Sequence, residues 1–122
     1  MQKSKKTVVI GVSENPNRYA TIATKMLMEY GHEVVPVGKA PGTINGLAIQ
    51  TGLPAISEVD TITLYVNPLR QPPMYDYLIG LHPKRVIFNP GTENPQLMTL
   101  LQQNGIETDE ACTLVMLRTG QY

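Results

Sequence analysis

The sequence contains few residues of the kinds that cross-link a protein, charge its surface or anchor it. Its 122 residues include one cysteine, which excludes an internal disulfide and suits a reducing compartment. Ten basic and ten acidic residues cancel, and sequence-independent nucleic-acid binding needs clustered cations. No apolar run approaches the length of a membrane span, and no signal peptide opens the chain. We therefore expect a cytoplasmic protein that binds neither nucleic acid nor membrane.

The sequence does contain an alternation of β-branched apolar segments with amphipathic ones. Strands are predicted at residues 7–10, 33–37, 61–66, 85–88 and 106–108. Helices are predicted at residues 18–30, 74–80 and 94–105. This order, with short connections, predicts a three-layer Rossmann-like α/β fold whose five-stranded parallel sheet has the strand order 3-2-1-4-5. A chain of this length predicts one domain over residues 1–122.

The first predicted strand ends in an altered nucleotide-binding turn. Gly11 stands where a dinucleotide fold needs its first tight-turn glycine, while Ser13 and Pro16 replace the second and third glycines. The pattern G-x-G-x-x-G has thus become G-x-S-x-x-P. Backbone amides of residues 13–15 would face a pyrophosphate at the start of the first helix, with Arg18 in reach of the same phosphates.

The end of the second predicted strand carries a cation in an unusual place. An NAD site usually has an acidic residue there to hold the ribose hydroxyls. This chain has Gly38 followed by Lys39. A lysine at this position predicts a nucleotide with an extra phosphate on its sugar. Taken alone, Lys39 is equally compatible with a solvated surface residue.

Two further strand ends carry turn-forming residues, Asn67-Pro68 and Asn89-Pro90-Gly91. In parallel sheets, ligands bind outside the carboxyl ends of the strands, so these residues and Lys39 are expected to line one crevice. Each of them alone is more typical of a helix cap or a turn, because Asn, Ser and Pro dominate such positions. The hypothesis of a ligand site depends on their joint position at strand ends.

Residues 9–18 resemble the opening of the small stand-alone CoA-binding proteins, which have an apolar strand, then Gly-Ala-Ser, then Asn-Pro and Arg. The chain is also similar to the CoA-binding domain of the succinyl-CoA synthetase α subunit. Residues 12–15 would match that domain's phosphate turn, Lys39 its lysine after strand two, and residues 65–68 its Tyr-Val-Pro run. Residues 89–91 would match its third ligand-contacting stretch, although the residue types differ there.

The resemblance implies non-catalytic binding of coenzyme A (CoA) or acyl-CoA at the carboxyl ends of the strands. The alternatives are an NADP-dependent oxidoreductase-type domain, for which Lys39 and Arg18 would suit a 2′-phosphate, and a regulatory subunit whose nucleotide site has decayed. The predicted contact residues are Gly11, Val12, Ser13, Glu14, Asn15, Arg18, Lys39, Asn67, Pro68, Asn89, Pro90 and Gly91.

No catalytic or metal-binding pattern is recognisable, which favours a binding module and leaves enzymatic activity open. Glu14 is interpreted as a first-turn acid of the first helix, and His32 and His82 as ordinary surface histidines. Cys112 is interpreted as a small buried residue, the alternative being a mixed disulfide with CoA. The apolar residues 114–117 favour a core position and leave open a homodimer contact or a partner enzyme.

Overall fold

The computed structural model describes residues 4–122. Its elements follow one another as β1 (Thr7–Ile10), α1 (Tyr19–Glu29), β2 (Val34–Gly38), β3 (Thr43–Ile44), β4 (Leu47–Ala48), β5 (Gln50–Thr51), β6 (Thr61–Leu64), α2 (Tyr75–Gly80), β7 (Arg85–Phe88), α3 (Pro95–Gln103), β8 (Glu107–Glu110) and α4 (Thr113–Arg118). Two short 3-10 turns, Pro68–Arg70 and Pro72–Met74, connect β6 to α2. The strands β3 and β4 form a separate antiparallel hairpin.

The main sheet has six strands in the order β5-β2-β1-β6-β7-β8, and every neighbouring pair is parallel. The central strand β1 pairs on both sides, with Val8 opposite Val35 of β2 and opposite Ile62 of β6. Every residue of β1, β6 and β7 is buried, as expected for strands covered on both faces. The predicted Rossmann-like parallel fold is confirmed.

The number of strands and the place of one strand differ from the prediction. Numbered within this sheet alone, the six strands have the order 3-2-1-4-5-6. The third place belongs to Gln50–Thr51, which pairs with the edge of β2. The predicted third strand, at residues 61–66, instead ends at Leu64 and pairs with β1. β5 consists of two exposed polar residues, which give no strand pattern in the sequence. It forms because the edge of β2 offers free backbone groups for pairing.

Helices cover both faces of the sheet and divide the core in two. On one face α2 and α3 contribute Leu78, Leu97 and Leu101, and on the other face α1 and α4 contribute Ala20, Leu27 and Leu117. Successive strand residues serve opposite layers, since Val8 packs in the first cluster and Val9 in the second. The sheet is therefore the middle layer of three.

Local sequence signals set the helix boundaries close to their predicted places. Helix α1 is followed by Gly31, whose φ of 85° is the left-handed conformation that ends a helix. Helix α3 begins with Asn94, whose Oδ1 accepts the amide of Leu97 at 3.1 Å. Both signals act within a few residues of the chain, which is why a sequence pattern can reveal them.

A buried polar cluster closes the amino ends of the central strands and corrects the interpretation of His32. The His32 side chain is buried, its Nδ1 accepts the Lys5 amide at 3.0 Å, and its ring centroid lies 4.9 Å from that of Tyr122. The Tyr122 hydroxyl bonds to Thr7, and the Tyr122 main-chain oxygen accepts from Lys5 and Arg85. His32 is therefore an interior residue, covered by a residue from the far end of the sequence.

Acidification is expected to destabilise the protein through His32. Burial lowers the pKa of this imidazole below 6.5, the nearby charges of Lys5 and Arg85 lower it further, and Asp60 opposes them. The unfolded chain then binds more protons than the folded one, so the stabilising contribution is complete above pH 6.5 and is lost as pH falls below it. Urea unfolding of wild type at a series of pH values above and below 6.5 should show this loss as a lower unfolding free energy on the acid side.

The matched variants for this experiment are His32→Asn and His82→Asn. Asn Oδ1 can replace Nδ1 as the acceptor but does not titrate, so His32→Asn should flatten the decline in unfolding free energy below pH 6.5. His82 is exposed, and its φ of 49° is one that Asn tolerates. A decline that survives His32→Asn and disappears in His82→Asn would show that the buried cluster is not its source.

Candidate functional site

A crevice of about 830 Å³ lies at the carboxyl ends of the three adjacent strands β2, β1 and β6. The first turn after β1 forms its centre, the segments after β2 and β5 form one wall, and the segment after β6 forms the other. Of the twelve predicted contact residues it brings together seven: Gly11, Val12, Ser13, Glu14, Arg18, Lys39 and Asn67. This is the side of an open α/β sheet at which ligands bind.

Gly11 forms the tight turn that the sequence predicted. Its φ is 100°, and a Cβ at this position would stand 3.0 Å from the carbonyl oxygen of Tyr65, so only glycine fits without strain. The amides of Gly11 and Val12 both donate to the carbonyl of Val37, at 2.9 and 3.0 Å. The turn after β1 is therefore clamped between the ends of β2 and β6.

The next residues of the turn line the crevice and leave two backbone donors unpaired within residues 4–122. The Ser13 hydroxyl accepts the amide of Asn15 at 3.2 Å, and the hydroxyl of Thr21 in α1 donates to the Ser13 carbonyl at 2.6 Å. Within residues 4–122, the amides of Ser13 and Glu14 donate to no acceptor. Ser13 thus shapes the turn and does not cap α1, which begins six residues later, while two free amides remain for an anion.

Glu14 has a different role from the one its sequence position indicated. Helix α1 begins at Tyr19, so Glu14 precedes its first turn and does not lie within it. Its Oε2 accepts the amide of Thr43 at 2.9 Å, and its side chain lies over Gly42, where a Cβ would come within 2.4 Å of Glu14 Cδ. Glu14 therefore joins the turn after β1 to the segment that follows β2.

The end of β2 packs closely against the turn after β1, next to the mouth of the crevice. A Cβ on Gly38 would lie 2.0 Å from the carbonyl oxygen of Val12, so the backbone at the end of β2 is in direct contact with the backbone of the turn after β1. Lys39 follows directly, exposed and lining the crevice. The β3–β4 hairpin comes next along the chain, and Leu53, 54 % exposed, completes this wall.

The opposite wall is held by a buried cluster of amides that the sequence analysis did not identify. Gln71 is fully buried, and its Nε2 donates to the carbonyls of Val66 and Thr92, each at 2.8 Å. Asn94 Nδ2 donates to Gln71 Oε1 and to the Tyr75 hydroxyl, also at 2.8 Å. These bonds fix the two 3-10 turns, so the crevice-lining residues between β6 and α2 stand on a rigid support.

Three cations line the crevice, and one of them was missed by sequence reasoning. Arg18 precedes α1, Lys39 follows β2, and Arg70 ends the first 3-10 turn after β6. All three are exposed, and the ion pairs within residues 4–122, Lys6–Glu33 and Lys84–Asp60, involve none of them. The only sequence signal for Arg70 is a cation three residues beyond the Asn67-Pro68 strand end.

The remaining predicted contact residues lie outside the crevice lining. The Asn89 side chain is buried: its Nδ2 donates to Thr63 Oγ1 at 2.7 Å and to the Leu64 carbonyl at 3.1 Å, and its Oδ1 accepts the Thr113 amide at 2.9 Å. These three side-chain hydrogen bonds join the end of β7 to β6 and α4. Asn15, Pro68, Pro90 and Gly91 are likewise not among the lining residues.

Tyr65 is a titratable residue of the crevice whose pKa is shifted by burial. Its hydroxyl is buried, with no hydrogen-bond partner among residues 4–122. Burial raises the pKa of Tyr65 to about 12, and the nearby hydroxyls of Thr63 and Thr113 oppose that shift only in part. A phenol with this pKa stays protonated at neutral pH and is not poised to accept a proton.

Other chemistry-bearing residues lie away from the crevice. His32 and His82 precede β2 and β7, at the opposite end of the sheet. Cys112 is half buried at the start of α4, whereas the sequence interpretation made it buried, and it does not line the crevice; the alternative, a mixed disulfide with CoA, is untested. In the described part of the chain, no three His, Cys, Asp or Glu side chains gather to hold a metal. None of the helices within residues 4–122 combines the length and apolar character needed to cross a bilayer.

Comparison with known families gives a match over almost the whole chain. A family model described as a CoA binding domain covers residues 5–118. The matched range includes every crevice-lining residue. None of the curated proteins matches the sequence significantly.

Solved structures share this fold over nearly their full length. An uncharacterized protein is 48 % identical, with a TM-score of 0.96 over 99 % of this chain and 100 % of its own. A conserved hypothetical protein from Pyrococcus furiosus is 28 % identical, with a TM-score of 0.75 over 86 % of this chain and 91 % of its own. A protein from Thermus thermophilus is 21 % identical over 98 % of this chain and 91 % of its own, and its TM-score of 0.85 shows the fold alone.

Proposed function

The chain belongs to the family of CoA binding domains, and from this premise we propose that it binds coenzyme A or acyl-CoA without transforming it. The ligand would lie across the carboxyl ends of β2, β1 and β6, in the crevice of about 830 Å³. The diphosphate would meet the free amides of Ser13 and Glu14, and the adenosine would lie toward β2. The uncharged pantetheine arm would leave toward β6.

The observation that supports this proposal most is the charge of the crevice. A CoA molecule carries a diphosphate and a ribose 3′-phosphate, and the crevice offers it three exposed cations and two free amides. The one carboxylate that lines the crevice, that of Glu14, accepts the Thr43 amide, and the three cations leave the lining with a net positive charge. An anionic nucleotide is the ligand class that such a surface recognises.

Lys39 and the altered turn favour CoA over the dinucleotides. Lys39 stands where NAD sites carry an acid, and its charge suits a phosphorylated ribose. Ser13 and Pro16 replace the glycines that allow a dinucleotide pyrophosphate to approach the backbone closely. Among the predicted contact residues, we assign ligand contact to the seven that line the crevice.

The proposal that binding occurs without chemistry is supported by the positions of the acid–base residues. Both histidines lie at the opposite end of the sheet from the crevice. Tyr65 has its pKa raised to about 12, and Glu14 is engaged with Thr43. General acid–base catalysis needs a group that titrates near the working pH within reach of the substrate.

Calorimetric titration with CoA, acetyl-CoA, NADP and NAD tests the proposal. We expect CoA and acetyl-CoA to bind and the dinucleotides to bind far more weakly, and we expect bound acetyl-CoA to keep its thioester during incubation. Binding of NADP in place of CoA would establish the oxidoreductase-type alternative. No binding by any of the four would favour a regulatory subunit with a decayed site, and loss of the thioester would establish an enzyme.

A further inference from the structure

Arg70 is a cation on the wall of the crevice farthest from Lys39. It ends the 3-10 turn Pro68–Arg70 after β6, whereas Lys39 follows β2 on the other side of β1. The Arg70 side chain is exposed and has no ion-pair partner among residues 4–122. Its neighbour Leu69 is 92 % exposed, so this turn projects outward and presents Arg70 at the crevice mouth.

The support beneath Arg70 is more elaborate than an exposed surface turn requires. Gln71, the next residue, is fully buried and bonds to Val66 after β6 and to Thr92 and Asn94 in the segment between β7 and α3. The amide of Arg70 donates to the Asn67 carbonyl at 3.0 Å, and that of Gln71 to the Pro68 carbonyl at 3.3 Å. A long side chain on a fixed backbone loses less freedom on binding than one on a mobile loop.

We propose that Arg70 binds the CoA diphosphate from the β6 side, opposite Arg18 and next to the free amides of the turn, and this inference rests on the proposed function. With the diphosphate over β1, the ribose phosphate lies toward β2 and Lys39. The pantetheine arm, which lies toward Arg70, carries no charge. The diphosphate is therefore the anion within reach of Arg70. The guanidinium fork offers it two parallel hydrogen bonds, which a lysine cannot.

The substitution Arg70→Gln separates this role from that of Lys39. CoA and dephospho-CoA share the diphosphate and differ only in the ribose 3′-phosphate. Arg70→Gln should weaken both ligands by the same factor, about tenfold for a solvent-exposed charge-assisted contact. Lys39→Gln should weaken CoA alone. Arg70→Lys keeps the charge without the fork and should recover part of the loss. Calorimetry of wild type and these three variants with both ligands gives the eight dissociation constants.

The control is Arg118→Gln, which removes an exposed arginine of α4 that does not line the crevice and should leave both affinities unchanged. Unfolding in urea should show equal stability for wild type and all four variants. If wild type binds both ligands and Arg70→Gln binds dephospho-CoA normally, the inference is wrong while the proposed function stands. A loss confined to CoA would assign Arg70 to the ribose phosphate and also overturn it. If wild type binds neither ligand, both proposals fall.

Discussion

Reversing the charge of Lys39 is expected to weaken CoA binding about ten- to a hundredfold and to leave dephospho-CoA binding nearly unchanged. Lys39 lines the crevice directly after β2, where the ribose of a nucleotide lies in this type of sheet. Dephospho-CoA lacks the ribose 3′-phosphate, so it has no charge at that place for the new carboxylate to repel. Calorimetry of wild type and Lys39→Glu with both ligands measures the four affinities.

Solvent and salt place the expected effect at the lower end of this range. Lys39 is exposed, and a contact of this kind weakens as ionic strength rises. The difference between the proteins should therefore be largest in low salt, whereas a change caused by packing would not depend on salt. A salt series on wild type and Lys39→Glu distinguishes the two causes.

Arg118→Glu is the matched control, because it makes the same change in net charge at an exposed position outside the crevice. It should leave both affinities close to those of wild type. Equal weakening of CoA by Lys39→Glu and Arg118→Glu would mean that only the overall charge of the protein matters. Equal binding of CoA and dephospho-CoA by wild type would mean that Lys39 does not sense the phosphate.

The parts of this protein that could be predicted from sequence depend on neighbouring residues. Gly11 follows a β-branched strand, and its φ of 100° is the conformation that a tight turn at that point requires. Asn94 caps α3 and Gly31 terminates α1, each through atoms a few residues away. The order of strands and helices then predicts the parallel sheet, because parallel neighbours need crossover connections.

The parts that could not be predicted depend on residues distant in sequence. An asparagine at a strand end looks the same whether it faces a ligand or the interior, and Asn89 faces Thr63 and Thr113. His32 looks like a surface residue until Tyr122 covers it. Arg70 reaches the crevice only because Gln71, through its bonds to Val66 and Thr92, fixes the turn that carries it.

Gly38 ends a strand that the sequence predicts, but its close contact is with Val12, which is distant in sequence. Its replacement is expected to have the largest effect on the fold and the site together. A Cβ on Gly38 would stand 2.0 Å from the Val12 carbonyl oxygen and 3.2 Å from Ile49 Cγ2. That oxygen belongs to a residue whose amide donates a hydrogen bond to the Val37 carbonyl at 3.0 Å, so moving the oxygen aside strains that hydrogen bond. Gly38→Ala should therefore lower the unfolding free energy by at least about 2 kcal/mol.

The same clash displaces the turn that carries the free amides of Ser13 and Glu14, so CoA and dephospho-CoA should both bind more weakly to Gly38→Ala, by about tenfold or more. Urea unfolding and calorimetry measure the two effects.

Gly80→Ala is the matched control: Gly80 ends α2 and has nothing within 4 Å of an added Cβ, so alanine should be neutral or slightly stabilising there. If Gly38→Ala unfolds like Gly80→Ala and binds both ligands like wild type, the close contact between the end of β2 and the turn after β1 does not exist. A loss confined to CoA would point instead to a displaced Lys39, because the turn serves both ligands and Lys39 serves only the ribose phosphate.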